Sequence, residues 1–455
     1  HASSSGDVSV MTVLTTLEIG STITKANAFR VENDHLDHVG QGFAATSVSA
    51  GDVRIGADAA ISQMRDQYGL ALDAGEIFVN SSAAGGLRMT VHGLTSSMTA
   101  RAAREAALGA GAIVVHTTVG PMDEFDVEDL CEARPNIVLL AGGVDHGEKR
   151  IVVDNARLIA SAHLGVPVIY VGNAQARRRV ETVFAEAGEP LTCVSNVFPQ
   201  VDVLRIDPVR AVIQDVFNNH ITAAPGMGGL AQLSTHDILP TPGAVLRATE
   251  LFTEAVGDAV VVDVGGATTD VHSVTDGTLE WTSRTVDPEP RAKRTVEGDL
   301  GVFVNARHVA AMTAEGEDEE RLSNLRAIPA TDDESEVTRW LTRRAVEVGM
   351  GRHAGAVVEL FTPTGKTQIV RGKDLTAVHW VIGTGGALTR VPGGDAILAR
   401  MCTGAGTQLM PDAHATILID RDYRFSALGT IASSYPDLVR ETFARWVHEE
   451  TGDPR

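Results

Sequence analysis

Three glycine-rich turns hold the residues of this chain whose types and spacing favour anion binding. They are Glu18-Ile-Gly-Ser-Thr-Ile-Thr-Lys25, Asp263-Val-Gly-Gly-Ala-Thr-Thr-Asp270 and Val381-Ile-Gly-Thr-Gly-Gly-Ala387, and each follows a β-rich segment. Consecutive small residues leave backbone N–H groups open, and such groups form anion-binding concavities. The first two turns add hydroxyl groups, which can donate to phosphate oxygens. Three such turns in one chain predict a site for a polyphosphate.

A carboxylate begins two of these turns, Glu18 in the first and Asp263 in the second. Carboxylates that face a triphosphate would repel it unless a cation lay between them. Mg²⁺ fits this position because it keeps several of its waters and commonly bridges phosphates to one or two carboxylates. We therefore expect Glu18 and Asp263 to hold Mg²⁺ through waters.

The bulk composition describes an acidic, multidomain chain. Its 455 residues exceed one core of ordinary size and predict two or three domains. The formal net charge of −21 argues against nucleic-acid binding, because most of the surface would repel a phosphate backbone. Cys131, Cys193 and Cys402 are isolated from one another, which disfavours a metal or iron–sulfur site. No segment reaches the ~18 apolar residues of a membrane span, so we expect a cytoplasmic protein without a membrane partner.

Local patterns divide the chain into parts. Hairpins are expected near residues 12–29 and 258–274, where β-rich runs flank glycine turns. In the middle of the chain, short apolar strands alternate with Ala-rich helices, which is typical of a parallel, doubly wound sheet. The acidic stretch 313–336 is expected to be a solvated excursion. The expected parts are a cloning tag or disordered tail at 1–11, the first part of a lobe at 12–75, an inserted α/β domain at 76–210 and the rest of the core at 211–455.

The order of the three turns resembles the phosphate-1, phosphate-2 and adenosine loops of the actin/Hsp70/sugar-kinase superfamily. In that superfamily two ribonuclease H-like lobes clamp Mg-ATP. The resemblance implies a two-lobed actin-like α/β fold and a catalytic role for Glu18, Asp263 and Asp299, the last in a segment that also contains Glu297. It further implies that ATP is bound by Gly20, Ser21, Thr22, Thr24, Lys25, Gly265, Gly266, Ala267, Thr268, Thr269, Asp270, Gly383, Thr384, Gly385 and Gly386.

One position departs from the superfamily pattern. The first loop of the superfamily begins with Asp, whereas this chain has Glu18. Glutamate still reaches a metal-bound water, with one more methylene group, and this difference can weaken or slow hydrolysis.

A closer resemblance covers nearly the whole chain. It rests on segments such as GSTITKANAF, MTVHGLTSSMTARAAREAALGAGA, NVFPQVDVLRIDPVRAVI, LPTPGAVLRATELF, VVDVGGATTDVHSV and RTVEGDLGV, which occur in this order. These segments are similar to the accessory-protein family of adenosylcobalamin-dependent glutamate (methylaspartate) mutase, called MutL or GlmL and distinct from the mismatch-repair protein. The resemblance implies an ATP-dependent reactivating or chaperone-like factor with a B12 mutase as its client. Slow ATP hydrolysis stimulated by that client is expected, and the chain can be an oligomer.

Three alternatives stay open at this point. A small-molecule kinase on the same fold would need a base aimed at a substrate hydroxyl. A dehydratase activase also has a GSTxxK-like first loop, but it holds an iron–sulfur cluster between its subunits. A nucleotide-gated scaffold without hydrolysis is favoured by Glu18. In the middle domain, the turn Leu140–Gly147 is either a tight connection or a second ligand site, and 85–195 can imitate the client's cobalamin domain.

Overall fold

The computed structural model describes residues 12–69, 75–83, 86–313, 319–363, 365–404 and 406–452. The expected tag or tail at 1–11 lies outside the described residues. The strands are β1 (Val13–Ile19), β2 (Ile23–Glu32), β3 (His35–Ala45), β4 (Ile77–Ser81), β5 (Arg88–Gly93), β6 (Ile113–Val119), β7 (Ile137–Leu140), β8 (Val168–Tyr170), β9 (Leu191–Cys193), β10 (Leu239–Pro240), β11 (Ala259–Val264), β12 (Thr269–Val274), β13 (Ala292–Glu297), β14 (Ala356–Thr362), β15 (Gly365–Arg371), β16 (Trp380–Thr384) and β17 (Thr416–Ile419).

Helices connect and cover these strands. They are α1 (Arg54–Tyr68), α2 (Thr99–Gly109), α3 (Glu124–Ala133), α4 (Arg150–Ser161), α5 (Arg177–Ala187), α6 (Asp207–Ala223), α7 (Leu230–Leu233), α8 (Thr241–Val256), α9 (Leu279–Thr282), α10 (Ala306–Ala311), α11 (Glu319–Ser323), α12 (Asp332–His353), α13 (Gly386–Thr389), α14 (Gly394–Ala399), α15 (Arg424–Ile431) and α16 (Pro436–Thr451). None of them, over the described ranges, is long and apolar enough to cross a membrane.

Two five-stranded sheets share one topology. The strand order is β3-β2-β1-β4-β10 in the first and β13-β12-β11-β16-β17 in the second. In each sheet the second strand is antiparallel to its two neighbours, and the last two strands run parallel to the first. This 3-2-1-4-5 order is that of a ribonuclease H-like lobe. The predicted two-lobed, actin-like fold is therefore confirmed.

The third sheet is parallel throughout, with the order β6-β5-β7-β8-β9. Counted within this sheet, the order is 2-1-3-4-5, one of the two common doubly wound arrangements. Strand β7 is buried on both faces: Ile137 and Leu139 belong to a core shared with α2 and α6, whereas Val138 and Leu140 face α4 and α5. Burial on both faces explains the uninterrupted apolar strands of this part of the sequence.

The domain limits stay a prediction, with one difference at the start of the insertion. Strand β4, at Ile77–Ser81, follows the expected boundary at residue 76, yet it pairs with β1 and β10 in the first sheet. The third sheet begins only with β5 at Arg88. The boundary falls early because a short apolar strand carries no sign of which sheet it joins.

A cluster of aromatic side chains lies between the two lobes, although aromatic residues make up only 4% of the chain. Phe252 of α8 lies within a cluster with Phe425, Phe443 and Trp446, and α8 and α15 pass between the first two sheets. The helices touch at Gly429, where an added Cβ would lie 1.9 Å from the carbonyl oxygen of Ala244. This contact fixes α15, and the residues just before and within that helix reach the site described below.

Helix α12 corrects the expectation for the acidic stretch. The C-terminal part of the stretch 313–336 is not an excursion, because α12 begins there at Asp332. The residue before it, Thr331, caps the helix, and its side chain accepts from the N–H of Glu334. Three acidic residues in the first turn suit the positive end of the helix dipole. The charge run is thus a helix start, and residues 314–318 lie outside the described part of the chain.

Candidate nucleotide-binding site

The first two glycine-rich turns occupy equivalent positions in the two lobes. Each closes the hairpin between the first and second strands of its sheet, and the first glycine of each turn donates back across it. The Gly20 N–H lies 3.1 Å from the Ile23 carbonyl oxygen, and the Gly265 N–H donor lies 2.9 Å from that of Thr268. The register then places Glu18 opposite Lys25 and Asp263 opposite Asp270.

The first hairpin neutralises its own carboxylate. Lys25 Nζ lies 2.6 Å from Glu18 Oε1, and Ser426 Oγ donates to Glu18 Oε2 over 2.5 Å. The ammonium group also lies 3.9 Å from the centre of the Tyr423 ring. Burial alone would lower the pKa of Lys25, but the charges of Glu18 and Tyr423 outweigh it and the pKa is raised. Lys25 therefore stays cationic at neutral pH.

The second hairpin places two carboxylates side by side. Burial and the neighbouring charge of Asp270 raise the pKa of Asp263 to about 7, against the opposing effect of Lys25. Of the two carboxylates, Asp270 accepts the side-chain hydrogen bonds: Arg294 Nε donates to it over 2.8 Å and Thr268 Oγ1 over 3.1 Å. Among the described residues none donates to the Asp263 carboxylate. Asp263 is thus a buried carboxyl group with a pKa near neutrality and, among the described residues, no hydrogen-bond donor.

The third turn lies directly against Asp263. Thr384 is its register partner across β11 and β16, and Gly385 follows with a φ of +81°. A Cβ on Gly385 would lie 2.4 Å from Asp263 Oδ1, so only glycine fits both the left-handed backbone and this approach. Gly386 then begins α13. The first turn comes close as well: Ser426 of α15 donates to Glu18, and the residue before it, Phe425, donates its N–H to Asp420, which also accepts from Thr384 of the third turn. The three predicted turns therefore converge around the start of α15.

Asp299 is the predicted site residue that these contacts leave apart. Its carboxylate accepts from Arg352 over 2.8 and 2.9 Å, and Arg352 also binds Glu297. The hydrogen bond from Arg352 is the main cause of the lowered pKa of Asp299. Its described partners, including His308, are not residues of the three turns. The catalytic role of Asp299 stays a prediction.

Asp420 is a buried acid of the site that motif reading did not single out. It accepts from the backbone N–H groups of Arg424 and Phe425 and from Thr384 Oγ1 over 3.2 Å. Burial raises its pKa to about 6, although those backbone hydrogen bonds oppose the shift. It ties the third turn to the start of α15. A signal existed, because Asp420 directly follows a strand, as Asp263 nearly ends one.

A groove of about 310 Å³ lies between α12 and α14, the helix after the short α13 that begins with the third turn. Its lining residues include Trp340, the cationic Arg339, Arg343 and Arg400, and the acidic Glu336. A flat apolar ring among cationic groups suits a planar, electron-rich base. Nothing in the local sequence indicates that this face of α12 borders a groove.

The side chains fit a water-mediated cation better in one lobe than in the other. Over the described ranges, no group of three His, Cys, Asp or Glu residues is placed to hold a metal directly. Asp263 accepts no hydrogen bond from the described residues and is free to accept from metal-bound waters. Both oxygens of Glu18 already accept hydrogen bonds, from Lys25 and Ser426. Its predicted share in a magnesium site stays a prediction.

Comparison with known proteins agrees with the earlier resemblance. The family described as MutL protein matches residues 14–447, a span that contains all three turns. Protein MutL of Clostridium tetanomorphum is 33% identical over 447 residues, which cover 92% of this chain and 96% of the relative. The chain belongs to the MutL protein family. The match to the MutL family includes both lobes and the third sheet.

Solved structures give a looser likeness. A diol dehydratase-reactivating factor in nucleotide-free form has a TM-score of 0.36 and 11% identity, covering 94% of this chain and 100% of that chain. Component A of (R)-2-hydroxyglutaryl-CoA dehydratase from Acidaminococcus fermentans has a TM-score of 0.33 and 10% identity, covering 94% and 99%. The fold of the MutL-family chain is assigned from its own strand order.

Proposed function

We propose that this MutL-family protein binds ATP with Mg²⁺ between its two lobes and hydrolyses it slowly. Nucleotide-dependent closure of the lobes would then reactivate an adenosylcobalamin-dependent mutase of the glutamate mutase type. The observation that carries the ATP site is the meeting of three glycine-rich turns at Asp263, two from one lobe and one from the other. The client follows from the family resemblance.

The two hairpins would divide the chemistry. Lys25, cationic and set in the first hairpin, would bind phosphate oxygens beside the N–H groups of Ser21 and Thr22, since the Gly20 N–H is already bonded to the Ile23 carbonyl oxygen. Asp263, whose pKa of about 7 lies near physiological pH, would orient the attacking water and accept its proton. Mg²⁺ would supply the charge that allows phosphates to lie beside carboxylates.

The groove at Trp340 is the proposed position of the adenine ring. Trp340→Ala removes the apolar surface and should weaken ATP binding by about tenfold. The measurement is calorimetric titration of MgATP and of inorganic triphosphate into both proteins. Only ATP should lose affinity, because triphosphate has no base to place in the groove. Equal losses for both ligands would show that Trp340 acts on the fold instead.

One turnover experiment tests the proposed function as a whole. The full chain is assayed for phosphate release alone, with an active B12 mutase and with an oxygen-inactivated mutase, in the presence of free adenosylcobalamin. We expect slow release that the inactivated client accelerates, and recovery of mutase activity only when ATP is hydrolysed. Phosphoryl transfer to a metabolite would establish the kinase alternative instead.

A second function has one observation in its favour. The carboxylate of Glu18 is held by Lys25 and Ser426, so it is less available for catalysis than Asp263. A nucleotide-gated scaffold would use this arrangement to bind ATP without turnover. It would restore mutase activity equally well with ATP and with a non-hydrolysable analogue, whereas the reactivating ATPase would fail with the analogue.

A further inference from the structure

Arg294 is the largest side chain that the fold buries completely, with 2% of its surface exposed. It lies on β13, next to β12 in the second lobe. Its Nε and Nη2 atoms lie 2.8 and 2.6 Å from Asp270 Oδ1. A buried cation is costly unless it is fully paired, so the partners of this guanidinium show what it is held to.

The remaining nitrogen reaches a different part of the molecule. Arg294 Nη1 donates to the carbonyl oxygens of Leu108 and Ala112, over 2.9 and 3.0 Å. These carbonyls lie at the C-terminal end of α2 and in the turn before β6, where helix carbonyls lack partners within the helix and favour a cation. One side chain therefore joins the second hairpin to the layer of the third sheet.

We propose that Arg294 is a positioning residue for the ATP site, holding Asp270 of the second hairpin and linking it to the α2–β6 turn of the third-sheet domain. The proposal rests on the proposed ATP site. Asp270 lies opposite Asp263 in the β11–β12 register, so any movement of the Asp270 carboxylate changes the charge beside Asp263. Nucleotide at the hairpin and the placement of the third-sheet domain are then coupled, and each biases the other equally.

The same interface offers a matched contact that does not reach the hairpin. Arg101, on the same helix α2, pairs with Glu289 in the segment just before β13. Arg101→Gln loosens the packing of α2 on the second lobe but leaves Asp270 and Arg294 in place. It separates loss of an interface contact from loss of the link to the hairpin.

The test follows amide hydrogen exchange of residues 108–112 in the full chain, with and without MgATP. In the wild type, nucleotide should slow exchange in this turn by about tenfold. Arg294→Lys keeps a charge but cannot bridge both sides, so this slowing should be lost and kcat should fall about tenfold with KM changed less than threefold. Arg101→Gln should keep both the slowing and kcat.

ATP binding by the wild type is measured first, because its absence would overturn the proposed function itself. If the wild type binds ATP but the rate of amide hydrogen exchange at residues 108–112 is the same with and without MgATP, only the proposed coupling is overturned. Equal loss of kcat in Arg294→Lys and Arg101→Gln also overturns it. Should Arg294→Lys fail to fold, Asp270→Asn leaves Arg294 on the α2 carbonyls with a weaker partner. Nucleotide-dependent slowing must then shrink for the proposal to stand.

Discussion

The two phosphate hairpins have the same backbone and opposite electrostatics. In the first lobe the register pairs Glu18 with Lys25, and the two charges lie 2.6 Å apart. In the second lobe the same two positions are Asp263 and Asp270, which repel each other. Two hairpins with the same backbone thus differ in charge: the first pairs a carboxylate with an ammonium group, and the second places two carboxylates opposite each other.

The difference shows how each lobe handles its excess charge. The second lobe neutralises only Asp270, through Arg294 from the next strand, and leaves Asp263 with a pKa of about 7. A group that changes protonation near neutral pH suits proton transfer, whereas a salt-bridged one suits binding. We infer that the first hairpin mainly binds and the second mainly catalyses.

Replacing Asp263 should break the comparison most severely. Asp263→Asn keeps the shape but removes the base, so ATP turnover should fall by at least about a hundredfold while ATP binding persists. Phosphate release and MgATP titration measure the two effects. Asp276→Asn, an exposed acid of the same lobe, is the control and should change neither. Unaltered turnover in Asp263→Asn would remove Asp263 from catalysis.

The same variant should change how stability depends on pH. The folded state raises the pKa of Asp263 from 3.8 to about 7, so it favours the protonated form. The contribution of protonated Asp263 to folding stability is fully present below about pH 4. It is lost as the pH rises through about 7, because the buried carboxylate must then ionise where it is poorly solvated. Asp263→Asn removes this ionisation, so its stability relative to wild type should rise by about 4 kcal/mol between pH 4 and pH 8, at about 1.4 kcal/mol for each unit of the pKa shift. Urea unfolding at both pH values measures it, and a constant difference would contradict it.

The sequence predicted the hairpins but not their neutralising partners, for a physical reason. The turns are local, since glycine and the hydroxyl residues act within a few positions of their carboxylates. Ser426 reaches Glu18 across 408 positions of the chain, and only the folded sheets bring them together. Arg294 begins the segment RTVEGDLGV, which also contains Glu297 and Asp299, but nothing local in that segment indicates that its side chain is buried against α2.

Lys25→Met should make the first hairpin resemble the second by leaving Glu18 without a cation. ATP affinity should fall about tenfold, because a phosphate-binding charge is lost. Since Lys25 lowers the pKa of Asp263, the acid limb of the pH–rate profile should also move to higher pH. Lys366→Met, at an exposed ion pair with Glu359, is the matched control. An acid limb that stays in place would show that the two hairpins titrate independently.

Glu18→Asp is the smallest change and compares the two lobes most directly, because it gives both hairpins the same leading acid. The shorter side chain withdraws its carboxylate from Lys25 and Ser426 and frees it for metal-bound waters. Turnover should rise about twofold to threefold, while ATP affinity changes little. Ser426→Ala removes only one of the two contacts, so it should act in the same direction with a smaller effect. A fall in turnover for both variants would mean that catalysis needs Glu18 in its contacts with Lys25 and Ser426. The ion pair of the first lobe would then contribute to catalysis instead of limiting it.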